Sequence, residues 1–303
     1  MATEQSVSGS EQDTKPAVTL SFLLVTHNSQ SVLPGLIASL KHHPPKCAWE
    51  LVIVDNASHD ATVAMLQREF DSATIIPSGA NHGFAWGVNR AAADAHGTYY
   101  CLVNPDVEWD KGTIDRLLSC CRGNEQIGAV TPELVYPDGR PQLSLRRFPT
   151  HRNIWLSRGV PAPRVVRKLC GSTEYTHDYP RTARPVEAAA AACLLIRAEA
   201  FRAINGFDDQ FFLYVEDTDF CRRLQTAGWA VWCEPNVTVR HQWSEGTRHN
   251  RELAAHHRNS IRHYFRKHHA DKPIRNMLLF AALTVAGMFD WLYIKPDREG
   301  QDV

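Results

Sequence analysis

The sequence predicts an α/β fold, a mostly parallel sheet flanked by helices, and two observations predict it. Short apolar runs alternate with segments of helical periodicity across residues 17–108. Polar clusters then fall at the carboxyl ends of those runs, at Thr26–Asn28, Asp55–Asn56 and Asn104–Asp106. Open α/β sheets bind ligands at those ends, so the clusters point to a nucleotide or phosphate site.

The elements follow in order. AVTLSFLLVTHNS, residues 17–29, reads as a buried strand delivering a polar loop. Residues 30–43 carry Leu33, Leu36, Ile37 and Leu40 at helical spacing. ELVIV is a second buried strand with Asp55 at its end, and Ser58 or Asp60 can cap a helix at 61–70. Residues 73–77 form a third strand, and 81–95 a glycine-bearing loop running into an Ala-rich helix. TYYCLVNPDVE, 98–108, is a fourth strand ending in Asn-Pro-Asp. Residues 137–185 are rich in Pro and Arg with little periodicity and read as a long, partly mobile crossover. Order returns at 186–204, followed by a helix with Phe220, Leu224 and Ala227 on one face and a strand pair at 231–241. A basic, His-rich helix at 251–268 and an uncharged, largely apolar stretch at 277–289 close the chain. The first 16 residues are polar and read as a disordered leader, not a signal peptide.

The chain has 303 residues, 33 Lys+Arg and 33 Asp+Glu, so its formal net charge is zero. That excludes a uniformly basic nucleic-acid binder. The zero is a sum of opposite terms: −8 over residues 1–139, +8 over 140–185, −4 over 186–239 and +4 over 240–303. Eight Cys show no C-x-x-C pair and sit mostly in apolar runs, which suits free thiols in a reducing, cytosolic compartment. No G-x-G-x-x-G and no G-x-x-x-x-G-K-[ST] occurs, which weakens dinucleotide-oxidoreductase and P-loop readings.

Six segments carry a resemblance: VTHNS (25–29), VDNASHDAT (54–62), NHGFAWGVN (81–89), NPD (104–106), NGFDDQFFLYVEDTDFCRRLQTAGW (205–229) and VRH (239–241). In that order they resemble the family 2 glycosyltransferases, inverting enzymes of GT-A fold, in their bacterial rhamnosyltransferase-like branch. The resemblance implies a GT-A domain over 17–250, with a donor half at 17–136 and an acceptor and catalytic half at 186–250. Residues 251–303 form a C-terminal helical extension.

The resemblance also implies roles. Asp55 accepts a hydrogen bond from the N3–H of a uracil or thymine ring, with Thr26 and Asn28 bordering the nucleoside. On pattern alone, Asp55 is a helix cap. Asn81, Gly83 and Asn89 belong to the donor loop, where Gly83 permits close backbone approach. Asn104-Pro105-Asp106 stands where many relatives have Asp-x-Asp. Asp106 would hold Mg²⁺ or Mn²⁺ against the donor diphosphate, Asn104 would contact ribose or water, and His241 would complete the metal shell. As a bare tripeptide, NPD is a turn. Asp217 of the Glu216-Asp217 pair is the general base that takes the acceptor hydroxyl's proton, and Glu216 orients the pair. Asp219 is structural, and Arg222 and Arg223 pair with these acids or approach the diphosphate. Two departures fall on the acceptor side: Ala191-Ala192 replaces Gly-Ala, and the short family ending is stretched over residues 241–247.

The expected partners are a nucleoside diphosphate-sugar, dTDP-rhamnose first and UDP-galactose or another UDP-sugar second, and a saccharide or lipid-linked saccharide acceptor. Arg251, Arg258, Arg262, Arg266 and Lys267 precede 277–289, whose 13 residues are too few for a transmembrane span. An interfacial helix on an anionic membrane fits, and a core or homodimer helix is the alternative. A catalytically silent glycan-binding protein and a nucleotidyltransferase are the competing classes. Retention of Asp106 and Asp217 speaks against the first, and the second leaves Glu216-Asp217 without a role.

Overall fold

The computed structural model describes residues 18–157, 176–177, 179–242 and 250–293. The predicted leader lies outside the described residues, as do 158–175 of the crossover and 243–247 of the stretched ending.

Strands β1 (Leu20–Thr26), β2 (Trp49–Asp55), β3 (Thr74–Pro77) and β4 (Tyr99–Val103) pair in parallel in the order β3-β2-β1-β4. All seven residues of β1 are buried, as expected for a strand covered on both faces. Its side chains divide with a period of two. Leu20, Phe22 and Leu24 join one core with α1 (Leu33–His42), whereas Leu23 and Val25 face the opposite core. Helix α1 buries the four apolar residues read from its spacing, and α2 (Thr62–Glu69) follows β2. Helix α3 (Phe84–Ala93) buries Val88 and Ala91 against the second core.

The strand expected at 98–108 is two. The chain turns at Asn104-Pro105-Asp106, where Pro105 offers no N–H to a ladder, and resumes as β5 (Val107–Trp109). Beyond α4 (Thr113–Arg122) and β6 (Ile127–Val135), a small antiparallel sheet forms from β7 (Leu145–Arg146), β8 (Thr176–His177) and β10 (Ala188–Ala189). Between the last two lies β9 (Arg184–Pro185), and α5 (His151–Ser157) follows β7. Strand β11 (Cys193–Arg197) enters the main sheet antiparallel to both β4 and β6. Then come α6 (Ala198–Ala203), α7 (Glu216–Thr226) and β12 (Ala230–His241), which lies parallel to β6 and antiparallel to β5. The strand pair expected at 231–241 is this single strand, with a register break between Glu234 and Thr238 around Pro235.

Helix α8 (Arg251–His268) has the predicted bounds, whereas α9 (Pro273–Tyr293) extends beyond the predicted 277–289 at both ends. No helix among the described residues is long and apolar enough to cross a membrane. The two helices share a third core with Ile154 of α5 and with the segment leading into α7, through Phe211, Val215, Ile261, Tyr264, Phe265, Leu279 and Leu283.

Candidate active site

The β1–β2 register sets Thr26 beside Asp55. Asp55 is buried, and a buried carboxylate needs donors. Its Oδ1 accepts from Thr26 Oγ1 at 2.8 Å and Ser58 Oγ at 2.6 Å, and its Oδ2 from the Ser58 N–H at 2.9 Å. Asn28 has φ 46°, a left-handed conformation that Asn tolerates. Its N–H donates to Ser58 Oγ at 2.9 Å, and its Oδ1 accepts from the His59 N–H at 2.8 Å. Asp60 accepts from the N–H groups of Thr62 and Gln30 at 3.0 Å each, just ahead of α2, whose N-cap position is Ala61 and carries no side-chain cap bond. Ser58 serves Asp55 instead.

The loop before α3 closes the same end of the sheet. Asn81 Oδ1 accepts from the Gly83 N–H at 3.0 Å, and Asn56 Nδ2 donates to the Gly83 carbonyl at 3.1 Å. Asn56 Oδ1 is buried with no hydrogen-bond partner among the described residues. Gly83 has φ 87°, and a Cβ there would overlap the Phe212 carbonyl oxygen. The Phe84 N–H donates to that oxygen at 2.9 Å, so the loop docks on the strand of chain leading into Glu216-Asp217. Asn89 has another task. Its Nδ2 donates to the Phe207 carbonyl and its Oδ1 accepts from the Phe207 N–H, both at 2.8 Å, which tethers α3 to the 205–209 turn.

Asp106 and His241 lie 135 positions apart in sequence, and β5 and β12 bring them together. His241 Nε2 stands 3.4 Å from Asp106 Oδ1 and 3.5 Å from Asn104 Nδ2. On its other side, His241 meets Gln142, which is buried. The His241 carbonyl can only accept, so the group 2.6 Å from it is the Gln142 Nε2–H. Gln142 Oε1 then faces His241 Nδ1 at 2.9 Å and requires the proton on Nδ1. In its neutral form His241 then turns an Nε2 lone pair toward Asp106. Two acceptors facing each other, with the far nitrogen fixed by a neighbour, is the arrangement of a metal-ligating histidine. A carboxylate and an imidazole fit Mg²⁺ or Mn²⁺ once donor phosphates and water complete the shell. Among the described residues no group of three or more His, Cys, Asp or Glu side chains could hold a metal ion unaided.

Glu216 and Asp217 open α7 and are both buried. Tyr214 and Val215 just before them have φ 68° and 69°. A β-branched residue in that region is strained, and such strain gathers where side-chain aim matters. Arg146 Nη1 donates to Asp217 Oδ2 at 2.6 Å, while Asp217 Oδ1 accepts from the Thr218 N–H at 2.7 Å and Thr218 Oγ1 at 3.1 Å. Glu216 Oε2 has no partner among the described residues. Burial, then the neighbouring Asp217 charge, pushes the Glu216 carboxyl up to about 8, so it carries its proton at neutral pH. Asp219 is the structural acid of the segment. Burial works against its charge, but hydrogen bonds from His268, Arg223 and Lys267 and the Arg223 charge hold it down at about 2. Arg223 pairs with Asp219 at 2.7 Å, and Arg222 turns away to Tyr264 Oη at 2.9 Å.

Three residues of this end had no role in the sequence reading. Asn56 belongs to the polar cluster at the end of β2, where the sequence gives it no role of its own. Gln142 and Arg146 fall in the aperiodic Pro/Arg-rich stretch, where a Gln and an Arg four positions apart give no signal. Together they carry one short segment to both His241 and Asp217.

A parallel half-sheet with buried polar residues at its carboxyl edge, an Asp–His approach and a buried acid pair is the arrangement that the resemblance to family 2 glycosyltransferases implies. Family models agree: "Glycosyl transferase family 2" matches residues 21–169, and "N-terminal domain of galactosyltransferase" matches residues 174–243. An N-acetylglucosaminyl-diphospho-decaprenol L-rhamnosyltransferase of Mycobacterium tuberculosis is 31% identical over 80% of this chain and 82% of its own length. The rhamnosyltransferase WbbL of Escherichia coli is 31% identical over 68% of this chain and 76% of its own. The chain belongs to glycosyl transferase family 2. Among solved structures, the fold resembles GalNAc-T7 with UDP, GalNAc and Mn²⁺, at TM-score 0.59, 15% identity, 83% of this chain and 48% of that one. It also resembles the mannosyltransferase PcManGT of Pyrobaculum calidifontis with GDP-Man and Mn²⁺, at TM-score 0.58, 16% identity, 91% of this chain and 76% of that one.

Proposed function

We propose that this glycosyltransferase moves rhamnose from dTDP-rhamnose to a lipid-linked saccharide during cell-envelope polysaccharide synthesis, with inversion at the anomeric carbon. The observation that carries the donor side is the convergence of Asp106 and the Nε2 lone pair of His241 beside Asn104. These residues would hold a divalent cation, which offsets the diphosphate charge when bound. Asp55, positioned by Thr26 and Ser58, reads the pyrimidine, and Asn28 and the Asn81–Gly83 loop border the nucleotide. Asn56 Oδ1 is an unspent acceptor at the same end.

Asp217 takes the proton from the acceptor hydroxyl as that oxygen bonds to the anomeric carbon and the bond from that carbon to the diphosphate breaks, releasing the nucleoside diphosphate in one displacement. Arg146 and Thr218 orient it. Glu216, protonated at neutral pH, keeps the pair from carrying two charges and leaves a hydrogen-bond donor for the acceptor sugar. The names of the rhamnosyltransferase relatives support rhamnose and a diphospho-polyprenol acceptor. The galactosyltransferase match at residues 174–243 supports a second reading, in which UDP-galactose is the donor. A lipid-borne acceptor supports work at the inner face of the cell membrane, with peripheral contact there.

The test is release of nucleoside diphosphate across a panel of donors with a GlcNAc-diphospho-polyprenol acceptor and Mg²⁺ or Mn²⁺. Turnover with dTDP-rhamnose is expected, and turnover with UDP-galactose alone would select the second reading. Tight nucleotide binding without turnover would indicate a silent binding protein. Asp217→Asn should keep nucleotide binding and lower transfer by roughly 10²–10⁴-fold.

A further inference from the structure

Five of the large apolar side chains that stand exposed on this molecule lie on one helix. Ile274, Met277, Leu278, Val285 and Met288 of α9 are each between 52 and 71% exposed. Ile274, Leu278, Ala281, Val285 and Met288 recur at alternating steps of four and three, which lines them along one face. Apolar patches of this kind mark contact surfaces.

A row of arginines borders the stripe. Arg258, Arg262 and Arg266 recur every four residues along α8 and lean toward α9. Arg262 donates to Thr284 Oγ1 at 3.0 Å, Arg266 lies over the Phe280 ring with 5.1 Å to its centroid, and the Arg258 guanidinium packs beside Gly287. Arg262 and Arg266 form no ion pair among the described residues. Burial, then the Arg258 and Arg266 charges, pushes the Arg262 guanidinium below its ordinary value. Between α8 and α9 runs an open groove of about 610 Å³, lined by Arg258, Arg262, Leu283, Thr284 and Met288. Crowded cations next to exposed hydrocarbon call for an occupant that is anionic and apolar at once.

A second copy of the chain is a poor match. Glu252 and Asp290 are the only acids of α8 and α9 against six Lys and Arg, so a symmetric pairing of these helices would leave most of the cations without acids to meet. We propose that the α8–α9 hairpin docks on an anionic phospholipid bilayer, with Arg258, Arg262 and Arg266 on lipid phosphates and the α9 stripe in the acyl boundary. This deepens the membrane-side reading above and rests on it. The hairpin also bears on catalysis, because α8 is fastened to the chain around Glu216-Asp217. Ser260 Oγ donates to the Leu213 carbonyl at 2.8 Å, and His268 Nε2 lies 2.6 Å from Asp219 Oδ1. Docking therefore sets the direction in which the active site meets a membrane-borne acceptor.

The test is co-sedimentation of the full chain with vesicles of equal phosphatidylglycerol and phosphatidylcholine, against phosphatidylcholine alone, at low and high salt. Three arginines at an anionic surface give a preference of roughly a hundredfold for the first, falling with salt. Arg262→Glu/Arg266→Glu and, separately, Val285→Asp/Met288→Asp should each abolish binding while turnover of a water-soluble acceptor stays at the wild-type rate. Unaltered thermal melting confirms that the exposed substitutions leave the fold intact. Equal binding to both vesicles, or none by the wild type, overturns the proposal. So does a dimer in sedimentation velocity that Val285→Asp/Met288→Asp dissolves, because the stripe would then be covered by a second copy. Vesicle binding without turnover of any donor leaves the docking standing and removes the transferase reading instead.

Discussion

Gln142 grips His241 at two points, donating to its backbone carbonyl and accepting from its Nδ1–H, so one buried amide fixes both the position and the tautomer of the imidazole. The Nε2 atom faces Asp106 at 3.4 Å. Four residues on, Arg146 holds Asp217. The segment that the sequence presents as a featureless crossover thus begins by bracing His241 and Asp217, on which the proposed chemistry depends.

Gln142→Leu should therefore weaken Mn²⁺ binding by about 10- to 100-fold in the presence of nucleoside diphosphate, as removal of an outer partner of a metal-ligating histidine does. Calorimetry gives the affinity. Nitrogen-15 spectra of the imidazole should show a single Nδ1–H tautomer in the wild type and a mixture in the variant. Gln142→Glu keeps an acceptor at Nδ1 and should keep the tautomer. An unchanged tautomer in Gln142→Leu would show that Gln142 does not set it.

Arg146→Leu should destabilise the protein by about 3–5 kcal/mol, since it leaves Asp217 buried without its cation. Adding Asp217→Asn removes the orphaned charge and should recover most of that loss without restoring transfer. Urea unfolding of the two single variants and the double variant measures the coupling. Simple additivity of the two substitutions would mean that the 2.6 Å pair contributes little beyond its members.

Much of the scaffold was legible in the sequence. Buried strands such as LSFLLVT announce themselves because both faces need apolar residues. Helix α8 is bounded by Asn250, whose side chain accepts from the N–H groups of Glu252 and Leu253, and by a cluster of basic residues in its last turn. What the sequence concealed depends on pairing across long separations. The departure of β5 from β4 becomes visible only when β12 is seen to be its partner, and Gln142 and Arg146 acquire meaning only from residues 99 and 71 positions away. Asn89 shows the reverse case. It sits in a family motif, yet both ends of its amide bond the backbone of Phe207.

The Glu216 carboxyl gives stability a slope in pH. Its folded value of about 8 lies above the ordinary 4.5, so the folded state binds the extra proton between those limits. Stability should fall as pH rises from about 4.5 toward about 8 and level off above it, because the group must then ionise while buried. Glu216→Gln, which imitates the protonated acid, should flatten that slope and melt higher than the wild type at pH 8. Asp219 acts at the other end. Its folded value of about 2 lies below the ordinary 3.8, so its contribution is complete above 3.8 and is lost as pH falls through about 2. Thermal melts across pH separate the two windows, and identical slopes for wild type and Glu216→Gln would contradict the assignment to Glu216.

Gly83→Ala tests whether the donor loop and the catalytic segment are one unit. The position has φ 87°, which costs an L residue about 1 kcal/mol or more, and the added methyl meets the Phe212 carbonyl oxygen. To make room, the loop must lift from residues 212–217 and break the bond from the Phe84 N–H. The same movement withdraws the Gly83 carbonyl from Asn56 and slackens the turn that Asn81 holds. Nucleotide affinity and transfer should therefore fall together, with the midpoint of thermal unfolding lowered by several degrees. Asn81→Ala removes only the turn bond and leaves the docking on Phe212 in place, so it should weaken nucleotide binding with a smaller change in melting. A Gly83→Ala variant that loses stability but binds nucleotide as the wild type does would confine Gly83 to a packing role and detach the donor loop from the site.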